Sequence, residues 1–312
     1  MRDLLSVGEA LIDLKGDSTS GAFKTLPGGS PFNVAIGAAR LGVPTAFLGA
    51  ISRDAFGTEL AERLAGEGVE AGRCPRVQAP TTVALVLEQG GDAHFLFYAH
   101  DSADAQLRPE HVEGVLAEPP AILHVGSYSL CAEPAGSSIE GLVEALAGRS
   151  LISLDPNIRP FFADRAPGVR QRLVRLIARA DLVKLSRQDC RWLYPGLSDE
   201  QVVAELLRVG PVIAVVTRGA DGVNAGLAPD RYDLPGEGVE VVDTVGCGDA
   251  FSAAFEAGLL SAGARTRADL EALAGEPLLR LLERANAAAA VNATRPGADP
   301  PRPEEVEALL AT

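Results

Sequence analysis

Residues 243–251 read DTVGCGDAF and run directly into the apolar stretch SAAFEAGLL. Gly246 and Gly248 open turn conformations that side chains disfavour, and helical spacing of apolar residues begins at about Asp249. A turn of that kind at a helix start leaves several backbone N–H groups without intrahelical partners, which makes it an anion-binding candidate. On local grounds an ordinary strand-to-helix turn, with Asp249 favoured by the helix dipole, reads equally well. Two other nucleotide motifs are excluded. No GxxxxGK[ST] occurs, no GxGxxG follows the first apolar run, and Phe251 stands where a third glycine would be needed.

Outward from this turn, short β-like runs alternate with helical segments. LLSVGEALIDL, TAFLGAI, AILHVGS, SLISLDP, DLVKLS, VIAVVTRG and VEVVD read as strands. NVAIGAARLG, GTELAERLAGEG, PGVRQRLVRLIARA, DEQVVAELLRVG and GDAFSAAFEAGLLSAG carry apolar residues three and four apart and read as helices. The pattern predicts an α/β fold with a doubly wound, mostly parallel sheet over residues 1–312 as one domain. Residues 81–100 break the alternation with two β runs around Gln89-Gly90-Gly91-Asp92, predicting a β-hairpin that stands off the sheet as a lid or a dimer-forming edge.

Composition narrows the function classes. The net charge of −14 disfavours nucleic acid as a partner. No apolar run reaches membrane-spanning length, and acids in MRDLLSVGEALIDL interrupt any leader-like stretch, so a cytoplasmic location is expected. The four cysteines, Cys74, Cys131, Cys190 and Cys247, form no CxxC pair and read as reduced thiols. The chain has only three lysines, Lys15, Lys24 and Lys184, and its other cations are arginines.

DTVGCGDAFSAAF resembles the C-terminal signature of the ribokinase (PfkB-type) carbohydrate kinases, and GGSPFNVAIGAARLG at 28–42 resembles their N-terminal signature. SRDAFG, LDPNIRP, VTRGADG and AAAAVNATRPGA fall at matching places, so the resemblance spans roughly residues 4–300. Within the family, GEALIDL, DPNIRP and FYAHDSADAQL are most similar to bacterial fructokinases.

The resemblance implies a role for each matched residue. Asp249 matches the acid that takes the proton of the attacking sugar hydroxyl, and at a helix N-terminus it is expected to stay ionised. The N–H groups of Gly246, Cys247, Gly248 and Asp249 would form the anion hole. Asp13, Gly28, Gly29 and Asn33 match sugar-binding positions, with a surface charge and a helix N-cap as the local alternatives for Asp13 and Asn33. In LDPNIRP, Asp155, Asn157 and Arg159 follow a strand where α/β ligands bind, Arg159 reaching a phosphate or substrate anion or else belonging to a capped turn. Thr217, Gly219 and Gly222 match the turn under the ATP phosphates, and Asn286 a helix laid against adenine. Where the family has Asn-x-x-Glu, this chain has Ser186 and Asp189, so Mg²⁺ would be ordered by a shorter acid through water. A monovalent cation such as K⁺ would involve Asp243 and carbonyls near Val245, Asn292, Arg295 and Gly297.

The implied activity is ATP- and Mg²⁺-dependent phosphorylation of a primary hydroxyl of a small sugar, D-fructose first. Ala99 follows Tyr98 where fructokinases tend to carry an arginine, which keeps 2-keto-3-deoxygluconate and aminoimidazole riboside open as substrates. A sugar-binding regulator without activity and a dehydrogenase are the alternatives of other classes. Cys247 sits at the helix N-terminus, which favours the thiolate, between two acids that oppose it.

Overall fold

The computed structural model describes residues 2–17, 22–89 and 92–311. Its strands are β1 (Leu4–Val7), β2 (Leu11–Asp17), β3 (Ala22–Gly28), β4 (Thr45–Leu48), β5 (Ile51–Ser52), β6 (Arg76–Val77), β7 (Val83–Gln89), β8 (Asp92–Tyr98), β9 (Ile122–Gly126), β10 (Leu151–Asp155), β11 (Leu182–Ser186), β12 (Ile213–Thr217), β13 (Val223–Leu227) and β14 (Asp230–Leu234). The helices are α1 (Ser30–Arg40), α2 (Ala55–Gly66), α3 (Pro109–Val112), α4 (Ala135–Leu146), α5 (Pro160–Ala163), α6 (Val169–Arg179), α7 (Arg187–Leu193), α8 (Asp199–Val209), α9 (Cys247–Ser261), α10 (Arg267–Glu271), α11 (Glu276–Ala293) and α12 (Pro303–Leu310).

Eight strands form the main sheet in the order β14-β13-β12-β11-β10-β9-β1-β4, parallel from β12 to β4 and antiparallel at β13 and β14. Helices cover both faces. Leu142 of α4, Leu173 of α6 and Val202 of α8 pack with Val125, Leu154 and Val183 on one side. Val34 of α1, Phe251 and Phe255 of α9 and Leu282 of α11 pack with Leu4, Ile122 and Val215 on the other. Strand alternation decides which residue faces which layer. Val183 and Leu185 enter the first core, so Leu182 and Lys184 turn toward α9.

Three sequence expectations are corrected. LLSVGEALIDL is not one strand, because the chain turns at Gly8 (φ 154°), where an added Cβ would come within 2.5 Å of Pro31, and β2 leaves for a different sheet. TAFLGAI likewise divides into β4 and β5. VEVVD forms no strand. Val241 and Val242 are exposed, and the N–H groups of Val242 and Asp243 donate to the Ala293 carbonyl at the end of α11, where no sheet edge is offered.

The second sheet runs β3-β2-β7-β8, so the anticipated hairpin, β7 and β8, is joined by another, β2 and β3. Its tip, residues 90–91, lies outside the described residues. The register puts Asp13 in line with Leu26, Ala84 and Phe97 on one face, with Lys15 two residues along. Leu14, Leu96 and Tyr98 occupy the opposite face. Among the described residues no helix is long and apolar enough to cross a membrane.

Candidate active site

Asp249 sits in the first turn of α9, whose N-cap is Gly246 in the left-handed region (φ 78°). A side chain is disfavoured there, and a Cβ would also lie 2.6 Å from that of Ala298. No side chain caps this helix. The N–H groups of Gly248 and Asp249 have no acceptor among the described residues, whereas that of Cys247 donates to the Thr244 carbonyl at 3.3 Å, so the expected four-donor anion hole loses one member.

The Asp249 carboxylate is only 6 % exposed and is held by side chains from other elements. Ser30 Oγ donates to Oδ1 at 2.7 Å, Asn33 Nδ2 to Oδ2 at 2.8 Å, and Asn157 Nδ2 reaches Oδ1 at 3.4 Å. Burial pushes its pKa up, against the hydrogen bonds of Asn33 and Ser30 and the charge of Lys184, while Asp155 adds to the rise. The helix dipole alone predicts an acid held ionised; burial, the largest influence on this carboxyl, acts the other way.

Asn33 lies inside α1, whose N-cap is Gly29, so it is not a cap, and its amide serves Asp249. Gly29 has φ 112°, with the Glu9 carbonyl 2.6 Å from where its Cβ would be, and a Cβ on Gly28 would stand 2.7 Å from Asp13 Oδ2. The paired glycines thus make room for the backbone crossing and for Asp13. The Asp13 carboxyl is raised to about 6 by burial, helped by Asp249 and Asp243 and opposed by Arg159. It lies within electrostatic reach of Asp249 and Arg159 and is not a plain surface charge. Arg159 Nη1 donates to Asn157 Oδ1 at 2.6 Å, and Asn157 itself adopts φ 41°, a conformation that Asn tolerates better than most residues.

Beneath Asp249 the polar groups of α9 fall at i, i+3 and i+7, as Asp249, Ser252 and Glu256, one stripe facing the sheet. Lys184 Nζ donates to Asp155 Oδ2 at 2.7 Å and lies 2.8 Å from where a Gly248 Cβ would be. Burial opposes its charge, but Asp155, with Asp189 and Asp249 adding to it, holds its pKa above the usual lysine value, so it stays cationic. Deeper still, Glu256 Oε1 accepts from Ser153 Oγ at 2.5 Å and lies 2.7 Å from His124 Nδ1. Sequence reasoning passed over Lys184, Glu256, His124 and also Ser30 and Glu9; the last accepts from Ser30 N and Ser129 Oγ and shapes the turn before α1. The signal was present. Each of LHVG, ISLD and VKLS carries a polar residue inside an apolar strand, and the polar stripe on α9 lies opposite them.

On the nucleotide side, Ser186 and Thr217 are register partners at the ends of β11 and β12. Gly219 has φ 62°, and a Cβ on Gly222 would meet the Leu234 carbonyl at 2.1 Å, so both glycines shape this turn. Asn286 is 8 % exposed, and its amide donates to the Pro235 carbonyl, which makes it an anchor for the chain after β14.

Asp189 does not fit a metal-facing role. Its Oδ2 accepts from Ser186 N and Oγ, its Oδ1 from Ile158 N at 2.6 Å, and it is 1 % exposed. It ties α7 to the DPNIRP loop, and among the described residues no group of three His, Cys, Asp or Glu is arranged to hold a metal. The Cys247 thiol is also corrected. Burial raises its pKa, with Asp249 and Asp243 adding to the rise and Asn292 opposing it, so it is not a thiolate. A cavity of about 350 Å³ beside β4, lined by Arg2, Phe47, Glu70, Arg73 and Glu118, is remote from this chemistry, and its arginines are paired with its glutamates.

A family model for the pfkB family of carbohydrate kinases matches residues 1–305. A fructokinase of Rhizobium leguminosarum bv. trifolii is 37 % identical over 259 residues, covering 82 % of this chain and 79 % of the relative. Among solved structures, the fructokinase of Xylella fastidiosa with bound ATP superposes with a TM-score of 0.91 at 28 % identity, covering 100 % of this chain and 99 % of that one. The Vibrio cholerae O395 fructokinase bound to fructose, ADP and calcium superposes with a TM-score of 0.84 at 26 % identity, covering 99 % of each chain.

Proposed function

The chain belongs to the pfkB family of carbohydrate kinases, and we propose that it transfers the γ-phosphoryl group of MgATP to a primary hydroxyl of D-fructose, giving fructose 6-phosphate. One observation carries this reading: a buried carboxylate, Asp249, stands beside uncapped N–H groups at the start of α9, with a fixed cation, Lys184, beneath them. Positioning and charge stabilisation are what phosphoryl transfer asks of a protein.

In this mechanism the sugar lies between Asp249 and the face of the small sheet that carries Asp13, Ala84 and Phe97, and that sheet serves as the lid. Ionised Asp13 accepts a sugar hydroxyl. Asp249 takes the proton of the attacking hydroxyl as the O–P bond forms, and ADP departs with the electron pair of the broken bond. Ser30 and Asn33 hold the carboxylate through the transfer. The N–H groups of Gly248 and Asp249 and the Lys184 ammonium face the charge on the phosphoryl oxygens, with Thr217 and Gly219 under the remaining phosphates. Mg²⁺ bound with the nucleotide would supply neutralisation of phosphate charge, and the chain's own contribution is the donors just named.

Fructose is favoured by the relatives named fructokinase and by the Vibrio structure with fructose bound. Arg159, close enough to lower the Asp13 pKa, supplies the positive charge that Ala99 does not. The four free cysteines suit a reducing cytoplasmic setting. The test is ADP release measured across hexoses, pentoses, 2-keto-3-deoxy acids and ribosides. Fructose is expected to give the highest kcat/KM. A sugar acid or riboside ahead by ~10-fold or more reassigns the substrate, since a few polar contacts carry that much discrimination, and no ADP release with any of them overturns the kinase reading.

A further inference from the structure

The monovalent-cation site implied by the family resemblance does not fit the donors present. Asp243 Oδ2 accepts from Lys15 Nζ at 2.9 Å and from Gly297 N at 2.9 Å, and Oδ1 accepts from Val245 N at 3.1 Å. The Val245 carbonyl, a second anticipated ligand, accepts from Asn292 Nδ2 at 2.8 Å, while Asn292 Oδ1 accepts from Asp299 N. An ammonium therefore meets the carboxylate, and a fully buried amide meets the carbonyl. The Asp243 side chain is 7 % exposed, so it would be costly without a countercharge.

We propose that the Lys15 ammonium is a tethered cation that takes the place of a bound monovalent ion, fixing the loop ahead of α9 and fastening to it the strand that carries Asp13. The register supports the second half. Lys15 lies two residues from Asp13 on the same face of β2, and Leu26 of β3, also on that face, comes within 3.4 Å of where a Gly297 Cβ would be. The pair joins residues 228 apart in the chain, linking the sugar side of the cleft to the phosphate side. A lysine suits this work, being a compact unit charge on a flexible stem.

The inference rests on the kinase reading for what the loop binds, and its test does not use turnover. Wild-type protein and Lys15→Met are exchanged into tetramethylammonium buffer, and binding of β,γ-methylene-ATP with Mg²⁺ is measured by calorimetry with and without K⁺ at fixed ionic strength. Wild-type affinity is expected to change less than ~2-fold with K⁺, and Lys15→Met to bind ~10-fold more weakly without it, because a buried carboxylate has lost its partner. If Lys15→Met is too unstable to titrate, Lys15→Arg, which keeps the charge, is expected to match the K⁺-indifference of wild type. Tightening of the wild-type enzyme by ~10-fold or more on adding K⁺ overturns the proposal, as does a Lys15→Met protein that binds the analogue as wild type does in tetramethylammonium. Failure of every sugar in the ADP-release assay bears on the kinase reading and leaves this measurement standing.

Discussion

Asp189 and Asp249 both occupy the first turn of a helix that begins at the C-terminal end of the main sheet, both are buried, and burial raises the pKa of both. Their partners differ. Asp189 receives two backbone N–H groups and the hydroxyl of its own N-cap, so it closes the start of α7 and ties it to Ile158. Asp249 receives side-chain donors from α1 and the DPNIRP loop and leaves its own helix start uncapped. An acid that satisfies the backbone around it stabilises the fold, whereas one held by removable side chains beside open N–H groups is placed for chemistry.

The sharpest way to break this comparison is to neutralise each acid. Asp249→Asn is expected to lower kcat by about 10² or more while nucleotide binding, read by calorimetry, is retained, as for the loss of a positioned base. A variant keeping most of its kcat would remove Asp249 from proton transfer. Gly248→Ala probes the open helix start, since its methyl meets Lys184 Nζ, itself pinned to Asp155. A loss of roughly 10-fold in kcat with little change in Tm is expected, and unchanged kcat would mean that the ammonium plays no part.

Asp189→Asn should move stability instead, costing roughly 1–3 kcal/mol in denaturant unfolding as buried donors lose their acceptor, with kcat reduced less than ~10-fold. A kcat loss equal to that of Asp249→Asn would erase the distinction between the two acids.

Asp13 offers a pH test of the lid side. With its carboxyl at about 6, the KM for sugar is expected to rise as pH falls through that value, and Asp13→Asn to abolish this limb. The stability sign is opposite to that of a salt-bridged acid. Because the folded pKa exceeds the unfolded one, ionised Asp13 costs stability above about pH 6, so Asp13→Asn should stabilise by up to about 3 kcal/mol near pH 8 and by nothing below about pH 4. A pH-independent difference in Tm would sink the burial argument.

The smallest expected effect is at Cys247. Its side chain meets Asn292 Nδ2 at 3.5 Å and the Asp243 carbonyl at 3.9 Å, and its raised pKa makes it a poor nucleophile. Cys247→Ala should keep kcat within about 2-fold, and iodoacetamide should label the native protein slowly, as followed by mass spectrometry.

The parallel sheet, the helices between its strands, the turn at 243–249 and the acid it presents were all legible in the chain, because strand and helix periodicity and glycine-dependent turns are local properties of consecutive residues. The division of LLSVGEALIDL between two sheets was not, nor was the failure of VEVVD to pair. Both depend on which edges the rest of the fold offers, and an apolar alternating run carries no mark of its partner. The same holds for charge. The sequence shows acids at 189, 243 and 249 and lysines at 15 and 184, yet only the tertiary structure sets Lys15 on Asp243, Lys184 on Asp155 and the Ile158 N–H on Asp189. Residue type supplies the possible donors and acceptors. Which of them remain open for a substrate is decided by burial and by contacts between segments far apart in the chain, since a buried polar group must find a partner wherever the fold brings one.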